Sequence, residues 1–331
     1  MAQAAARLEG GAVRVAHQRR PGRRNVRRWL TIFAFMSPWI VGFLWFIVYP
    51  MFATLYFSFT RYDLLSKPRW YGFRNYVNLF HDPHFWIAMR NTLWMIAFGL
   101  PLSVGLSILT AWMLTRPKKG MKIYRTIFFL PSLAPPVAVA LAFVFILNPS
   151  TGPINQLLSH LGWKNPPLWF YNAHWSKPAM LVLGLWGIGG TMIIFLAGIL
   201  DVPRQLYEAA EIEGASGWQR FRFVTFPSIT PVIFFSVVTG VIYGFQFFTQ
   251  AYVTSITVSG TTTSQAATSV GSPNQSLLFY SVYLWQAGWG NFRYGYASAL
   301  AWILFMITMA CTLVLVKTSK RWVHYAGGGF R

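Results

Sequence analysis

Four of the seven acidic residues in this 331-residue chain, Asp201, Glu208, Glu211 and Glu213, crowd into one short segment. They lie in or just before a polar island, residues 207–231, set between two long apolar stretches. Acids gathered in one connecting loop suit docking on a partner; the alternative is an ordinary connector whose acids face water. Catalysis is poorly served. Ser216 stands in a Gly-x-Ser-Gly pattern that can present a nucleophile, but its loop is charged. The only histidine after it, His324, is in the tail, so no base is available within an apolar span. The chain has no Gly-x-x-x-x-Gly-Lys-[Ser/Thr] phosphate loop, so it does not hydrolyse ATP by itself. His81, His84, His160 and His174 lack ligand spacing, and the single cysteine, Cys311, excludes an intrachain disulfide and any Cys-rich metal site.

The elements that must position the island are membrane helices. Hydrophobic residues make up 55% of the chain, charged ones 11%, and the net charge is +21, with a mean hydropathy of +0.43. In a soluble protein that charge would suggest nucleic acid. Here the basic residues flank apolar runs, so lipid headgroups and membrane orientation account for them and no nucleic-acid partner is expected. A helix crossing a hydrocarbon core needs about 20 mostly apolar residues. Six such spans are expected, at about 29–57, 85–114, 123–147, 178–200, 231–253 and 296–316. The first is too long for a signal-peptide core and reads as an anchor that stays. A basic tail, 1–28, precedes a transmembrane domain over 29–316, and a second basic tail covers 317–331. Twenty Lys/Arg fall on the side of the termini and the island, and seven on the other, so the positive-inside rule places both termini and the island in the cytoplasm. Residues 254–277, rich in Ser, Thr and Gly, are expected as a flexible external loop.

Within the island, Pro203 can occupy the first turn of a short helix. Tyr207, Ala210, Glu211 and Gly214 then share one face. Gly214 can end that helix in a left-handed conformation, and Ser216 can cap a second helix carrying Trp218, Phe221, Arg222 and Phe223. The order Glu208-Ala209-Ala210, Gly214-Ala215, Phe221, Phe226-Pro227 resembles the EAA loop of binding-protein-dependent ABC importer permeases. Glu213 takes the place of the usual Asp, and Phe226 that of the usual Leu. Further landmarks of the carbohydrate-uptake (maltose and multiple-sugar) branch are Asn91-Thr92, Leu130-Pro131, Gly152-Pro153-Ile154-Asn155 and the run from Tyr283 to Leu300. One departure stands at Ser255–Gly260, where such permeases commonly carry Thr-x-Gly-Gly-Pro.

The resemblance implies an all-α polytopic protein of the type I importer fold, with six spans and a coupling loop between the fourth and fifth. It implies an ATPase contact made by Glu208, Ala209, Ala210, Glu213, Gly214, Ala215, Phe221, Phe223 and Pro227. It also implies a second similar permease, two cytoplasmic ATPases that use ATP and Mg, and an external substrate-binding protein. The chain itself would bind no cofactor and would move a sugar across the cell membrane by alternating access. A glycerol phosphate or polyol permease is the nearest alternative. An ion-coupled transporter lacks an acidic residue in any span, and a rhomboid-like protease lacks its base. A voltage-gated channel would need periodic arginines in a span.

Polar residues inside spans are costly and face a cavity or another helix. In the fifth span, Tyr243, Gln246, Thr249 and Gln250 would gather on one face of a continuous helix, with Phe247 and Phe248 pointing elsewhere. That mixture suits a sugar path and equally a helix interface. Gly184, Gly187, Gly189 and Gly190 suit close helix packing. Pro131, Pro135 and Pro136 imply a break in the third span, either a re-entrant bend or a packing kink. Arg90 can snorkel from the outer end of the second span.

Overall fold

Each apolar run expected from the sequence is helical in the computed structural model, which describes residues 24–115, 119–260 and 270–324. Residues 1–23 of the basic N-terminal tail and 325–331 of the C-terminal tail lie outside the described residues. Four helical stretches are long and apolar enough to cross a membrane: Arg28–Ser58, Pro83–Met113, Thr230–Ser259 and Tyr294–Ser319. Two bent pairs, Met121–Leu133 with Pro136–Ile146 and Ala173–Leu185 with Gly189–Leu200, bring the number to six when each pair is counted as one span.

The described residues fall into two compact units that meet between Thr54 and Leu55 in the chain. The first unit holds α1 (Arg24–Phe43), a π turn at Leu44–Val48 and the start of α2 (Tyr49–Ser58). That π turn has a local cause. Pro50 has no N–H to donate four residues back, and a wider turn, with Tyr49 N–H bonded to the Leu44 carbonyl, absorbs the missing bond.

The second unit opens with a two-stranded ladder, β1 (Thr60–Arg61) and β2 (Arg69–Trp70), followed by α3 (Arg74–His81) and α4 (Pro83–Met113). After α5 (Met121–Phe129) and a 3-10 turn at Leu130–Leu133, the chain swings through 97° into α6 (Pro136–Ile146). The break falls at Pro131, Pro135 and Pro136, as the sequence implies, since proline neither donates a helical bond nor lets its predecessor stay helical. Short α7 (Pro153–His160) leads to α8 (Ala173–Leu185) and α9 (Gly189–Leu200), bent by 51°. Gly189 sits at this bend because its backbone lies against α5: a Cβ there would come within 2.0 Å of the Phe128 carbonyl oxygen. Gly184 and Gly187 have only distant neighbours.

The island forms α10 (Arg204–Ile212), α11 (Gly217–Arg220), a π turn at Phe221–Thr225 and α12 (Phe226–Ser228). Then come α13 (Thr230–Phe245), α14 (Thr249–Ser259), α15 (Tyr280–Trp285) and α16 (Tyr294–Ser319). Helix α4 packs on α8, α9, α13 and α15, while α14 packs on α6. Two apolar clusters result. One, around Phe85, Met180, Phe245 and Tyr280, fills the end that carries the ladder. The other, around Ile108, Phe195, Ile199 and Ile229, lies under the island.

Two expectations are corrected. The fifth span is not one continuous helix, for α13 ends at Phe245 and α14 begins at Thr249. The carbonyl of Phe245 freed by this break accepts a bond from Ser281 Oγ at 2.9 Å, so the interruption leaves no orphan there. Nor is 254–277 a flexible loop throughout. Helix α14 runs to Ser259, with Thr254 and Ser255 fully buried. Two of its hydroxyls bond back to carbonyls one turn earlier, Ser255 to Tyr252 at 2.9 Å and Thr257 to Val253 at 2.8 Å, while that of Thr254 is buried without a partner among the described residues. Gly260, at φ +64°, closes the helix, and Leu277 and Leu278 return to the core.

Candidate functional site

The sequence of the island dictates a helix–turn–helix through its caps. Pro203 precedes α10 with an extended ψ of 129°, one position outside the first helical turn. At the other end Gly214 adopts φ +77°. Ala215 N–H bonds to the Ala210 carbonyl at 2.9 Å and Gly214 N–H to that of Glu211 at 3.0 Å, the paired bonds of a Schellman stop. Two residues on, Ser216 caps α11 in a capping box. Its hydroxyl accepts from Gln219 N–H, and Gln219 Oε1 accepts from Ser216 N–H at 2.7 Å. Glycine is required at 214 for backbone reasons alone, because a Cβ there would meet nothing within 4 Å.

The two helices are tied together. Tyr207 and Thr225 hydroxyls lie 2.9 Å apart, and Glu211 pairs with Arg220 at 3.4 Å. Tyr207 and Ala210 are half-buried and Glu211 is bonded across, so the face expected from helical spacing looks toward the second helix. The loop in turn is seated on the bundle. The Phe221 ring lies 4.9 Å from that of Trp112 near the end of α4, and Trp218 stacks on Phe221 at 5.4 Å. The π turn under Phe221 precedes Pro227, repeating the solution found before Pro50.

What remains outward is mixed in character. Glu208, Ala209 and Glu213 are exposed, with Glu208 held by Arg204 at 3.0 Å. Beside them Ile212 is 88% exposed, Phe223 72% and Trp218 62%. Burying such a side chain is worth about 1.5–3 kcal/mol, so this rim of acids and large apolar groups is built to be covered. Ala215, Phe221 and Pro227 are half-buried and serve the loop's own packing.

The four candidate path residues do not form one face. Tyr243 and Gln246 are exposed at the end of α13, and Gln246 lines a groove of about 480 Å³ with Ala301, Phe305 and Thr308 of α16. Thr249 and Gln250 open α14 beyond the break and are half-buried. Phe247 and Phe248 do point elsewhere, against Phe279 at 5.3 Å and Tyr252 at 5.1 Å.

A second polar centre was not singled out by sequence. Asp82, the N-cap of α4, accepts hydrogen bonds from the Tyr283 hydroxyl, from Tyr296 at 2.9 Å and from the His84 N–H at 2.9 Å. Burial pushes its carboxyl up, but the bonds from Tyr283, His84 and Tyr296 outweigh that and hold it below the ordinary 3.8. The available signal was Asp82-Pro83 at the start of a span, which is N-cap chemistry. The family landmarks have similar structural work. Asn91 donates to the Gln275 and Leu278 carbonyls at 2.9 and 3.0 Å, and Thr92 Oγ1 accepts from Tyr280 N–H at 2.9 Å.

Comparison with known proteins agrees with this architecture. The family described as binding-protein-dependent transport system inner membrane component matches residues 103–324. The chain is 40% identical over 295 residues to the probable ABC transporter permease protein YesP of Bacillus subtilis (strain 168), covering 88% of this chain and 91% of that one. It is 29% identical to the lactose transport system permease protein LacF of Rhizobium radiobacter, covering 86% and 90%. A subunit of a bacterial alginate ABC transporter, solved in complex with an alginate pentasaccharide-bound periplasmic protein, superposes with a TM-score of 0.73 at 25% identity, covering 90% of this chain and 96% of that one. With the six spans and the two-helix loop already in place, these likenesses identify the chain as a membrane-embedded, non-enzymatic permease subunit that belongs to the family of inner membrane components of binding-protein-dependent ABC transport systems.

Proposed function

We propose that this chain is one of two transmembrane subunits of an ATP-driven sugar importer, and that the loop 203–228 is its coupling element. The observation that carries the coupling role is the loop itself: a rigidly capped helix pair seated on Trp112, with Ile212, Trp218, Phe223, Glu208 and Glu213 turned outward. Lysine and arginine counts put that loop and both termini in the cytoplasm, where an ATPase would meet it. Its partners are then a second permease, two ATPases and an external binding protein. The lactose permease and the alginate transporter among its relatives support a saccharide as the solute. Tyr243, Gln246, Thr249 and Gln250, on either side of the break between α13 and α14, are offered as path residues, because an interrupted helix can set polar side chains beside a cavity.

The test is uptake of radiolabelled saccharide by cells expressing the complete operon. Uptake should stop on ATP depletion with the ion gradient intact and should require the binding protein. Continued uptake without ATP would refute the reading.

A further inference from the structure

The side opposite the coupling loop carries a cationic cavity that the coupling role leaves unused. It encloses about 890 Å³ between the β1–β2 ladder, α3 and the start of α16. Three arginines line it, Arg61, Arg69 and Arg293, all of them exposed. Arg61 and Arg69 are directly opposed across the antiparallel ladder, so their side chains share one face. Like charges in that register destabilise a strand pair, and among the described residues no carboxylate pairs with either. The one acid in the lining, Asp63, turns Oδ1 onto Ser66 N–H and Oγ at 2.8 and 2.7 Å, forming its own turn. Arg293 is pinned with its guanidinium 4.3 Å above the Tyr296 ring, and that tyrosine's hydroxyl is committed to Asp82. Asn78 and Asn291 add side-chain amides to the same wall. Three arginines and two side-chain amides around one concave site suit an anion that also carries hydroxyls.

A second cation on another part of the unit has the same character. Lys177 of α8 reaches Asn91 Oδ1 at 3.3 Å and lies 5.4 Å from the centroid of the Trp94 ring, with Arg90 adding its charge nearby. Among the described residues it has no acidic partner either. Cations kept on the side that the positive-inside rule depletes, with no carboxylate paired to them among the described residues, leave a positive field there for an anionic solute. Together they raise the local concentration of an approaching anion.

We propose that the Arg61–Arg69–Arg293 cavity binds a carboxylate-bearing saccharide, so that the solute is a uronate-type oligosaccharide rather than a neutral one. This rests on the sugar-importer reading and on its orientation. The probe pair is a trisaccharide of galacturonic acid and its fully methyl-esterified form, which keeps the rings and hydroxyls but loses the charge. Binding to the purified complex in lipid nanodiscs, without the binding protein, should be at least about tenfold weaker for the ester. Raising salt from about 0.05 to about 0.5 M should weaken only the acid.

The double variant R61Q/R293Q should lower affinity for the acid toward that of the ester and leave the ester's own affinity unchanged, which also shows that the variant folds. R61K/R293K should recover part of the loss, since charge returns without the planar fork. Equal binding of acid and ester, or no binding of the acid, would overturn the proposal. So would unchanged acid binding in R61Q/R293Q, including the case where that variant only raises the binding-protein concentration needed to stimulate ATP hydrolysis, which would make the cavity a docking socket. ATP-driven uptake of the ester as fast as the acid would overturn acid selectivity while leaving the importer reading standing; loss of all ATP dependence would remove the latter.

Discussion

Replacing Gly214 tests whether the coupling loop works through its turn. The residue holds φ +77° at the stop of α10, and a Cβ added there meets no atom within 4 Å. Gly214→Ala is therefore a backbone perturbation with no steric component inside the chain. Placing an L-residue in the left-handed region costs about 1–2 kcal/mol, a factor of roughly 5–30 in a local equilibrium. The turn is held by the two Schellman bonds, the Ser216–Gln219 capping box and the Tyr207–Thr225 contact. At about 1 kcal/mol each, these keep the loop formed but with much less reserve. Gly214→Asn should cost less, since asparagine visits this region more readily. Gly214→Asp shares that tolerance but sets a further acid beside Glu211 and Glu213 at the negative end of α10, and should lose transport while still inserting. The assay is ATP hydrolysis by the reconstituted complex, stimulated by the binding protein. Stimulation should fall in the order Gly, Asn, Ala, with Ala down several-fold and membrane insertion equal in all. Wild-type stimulation in the alanine variant would refute the argument. Equal losses for Asn and Ala would refute it differently, showing that any side chain there collides with a partner.

Tyr207→Phe removes the 2.9 Å contact to the buried Thr225 hydroxyl; a double-mutant cycle with Thr225→Val, read by hydrogen exchange over 204–228, should return a coupling of about 0.5–1.5 kcal/mol. Asp82 has a depressed carboxyl, so its contribution to stability is full above the ordinary 3.8 and is lost as pH falls through the lower folded value. Asp82→Asn should accordingly lower Tm at neutral pH, with the gap from wild type closing in acid; a gap constant with pH would show that the charge is not what Tyr283 and Tyr296 hold. Gln246→Leu and Gln250→Leu should each raise the apparent KM for uptake several-fold, as expected for a lost bond of about 1 kcal/mol, with the complex still assembled; normal uptake by an unstable complex would make them interface residues. In a Cys311→Ser background, Asn274→Cys, exposed beyond α14, should react with an impermeant thiol reagent added from outside; labelling only after permeabilisation would reverse the orientation.

The helix–turn–helix of 203–228 was legible because its chemistry is local. A glycine at the stop, a serine two residues later and a glutamine three beyond that specify the turn without help from the rest of the chain. The proline break in the third span was legible for the same reason. The break in the fifth span was not. Residues 246–248 read Gln-Phe-Phe, with no proline or glycine, and the helix opens there because distant groups support it. Ser281 takes up the freed carbonyl, and Phe247 and Phe248 find Phe279 and Tyr252. The Ser/Thr run after 253 has the composition of a loop, but in apolar surroundings the hydroxyls of Ser255 and Thr257 bond to their own helix. Asn91 and Thr92 stood out as landmarks, yet their work is to satisfy backbone 184 to 188 positions away, which no local pattern reveals.

On the coupling reading, the packing also decides where a push on the loop would go. The rim formed by Ile212, Trp218 and Phe223 is largely exposed, so force applied there passes through what the loop rests on. One route is Phe221 against Trp112, near the end of α4. The other is the helix that continues from α11 through α12 into α13, interrupted only at Ile229. Both routes end in the same apolar cluster, where α4, α9 and α13 bury Ile108, Phe195, Ile199 and Ile229. A close-packed cluster of this kind moves as a body rather than deforming. Motion must then be taken up where the helices are already interrupted: at Leu130–Pro136, at the bend before Gly189, and at Gln246–Phe248. Gly189 makes the second of these the tightest, since the α5 backbone leaves no room there even for a methyl group. The third is the break that separates Tyr243 and Gln246 from Thr249 and Gln250. Displacement of α13 against α14 would therefore change the spacing of the four candidate path residues directly, joining the push at the loop to the passage of the solute.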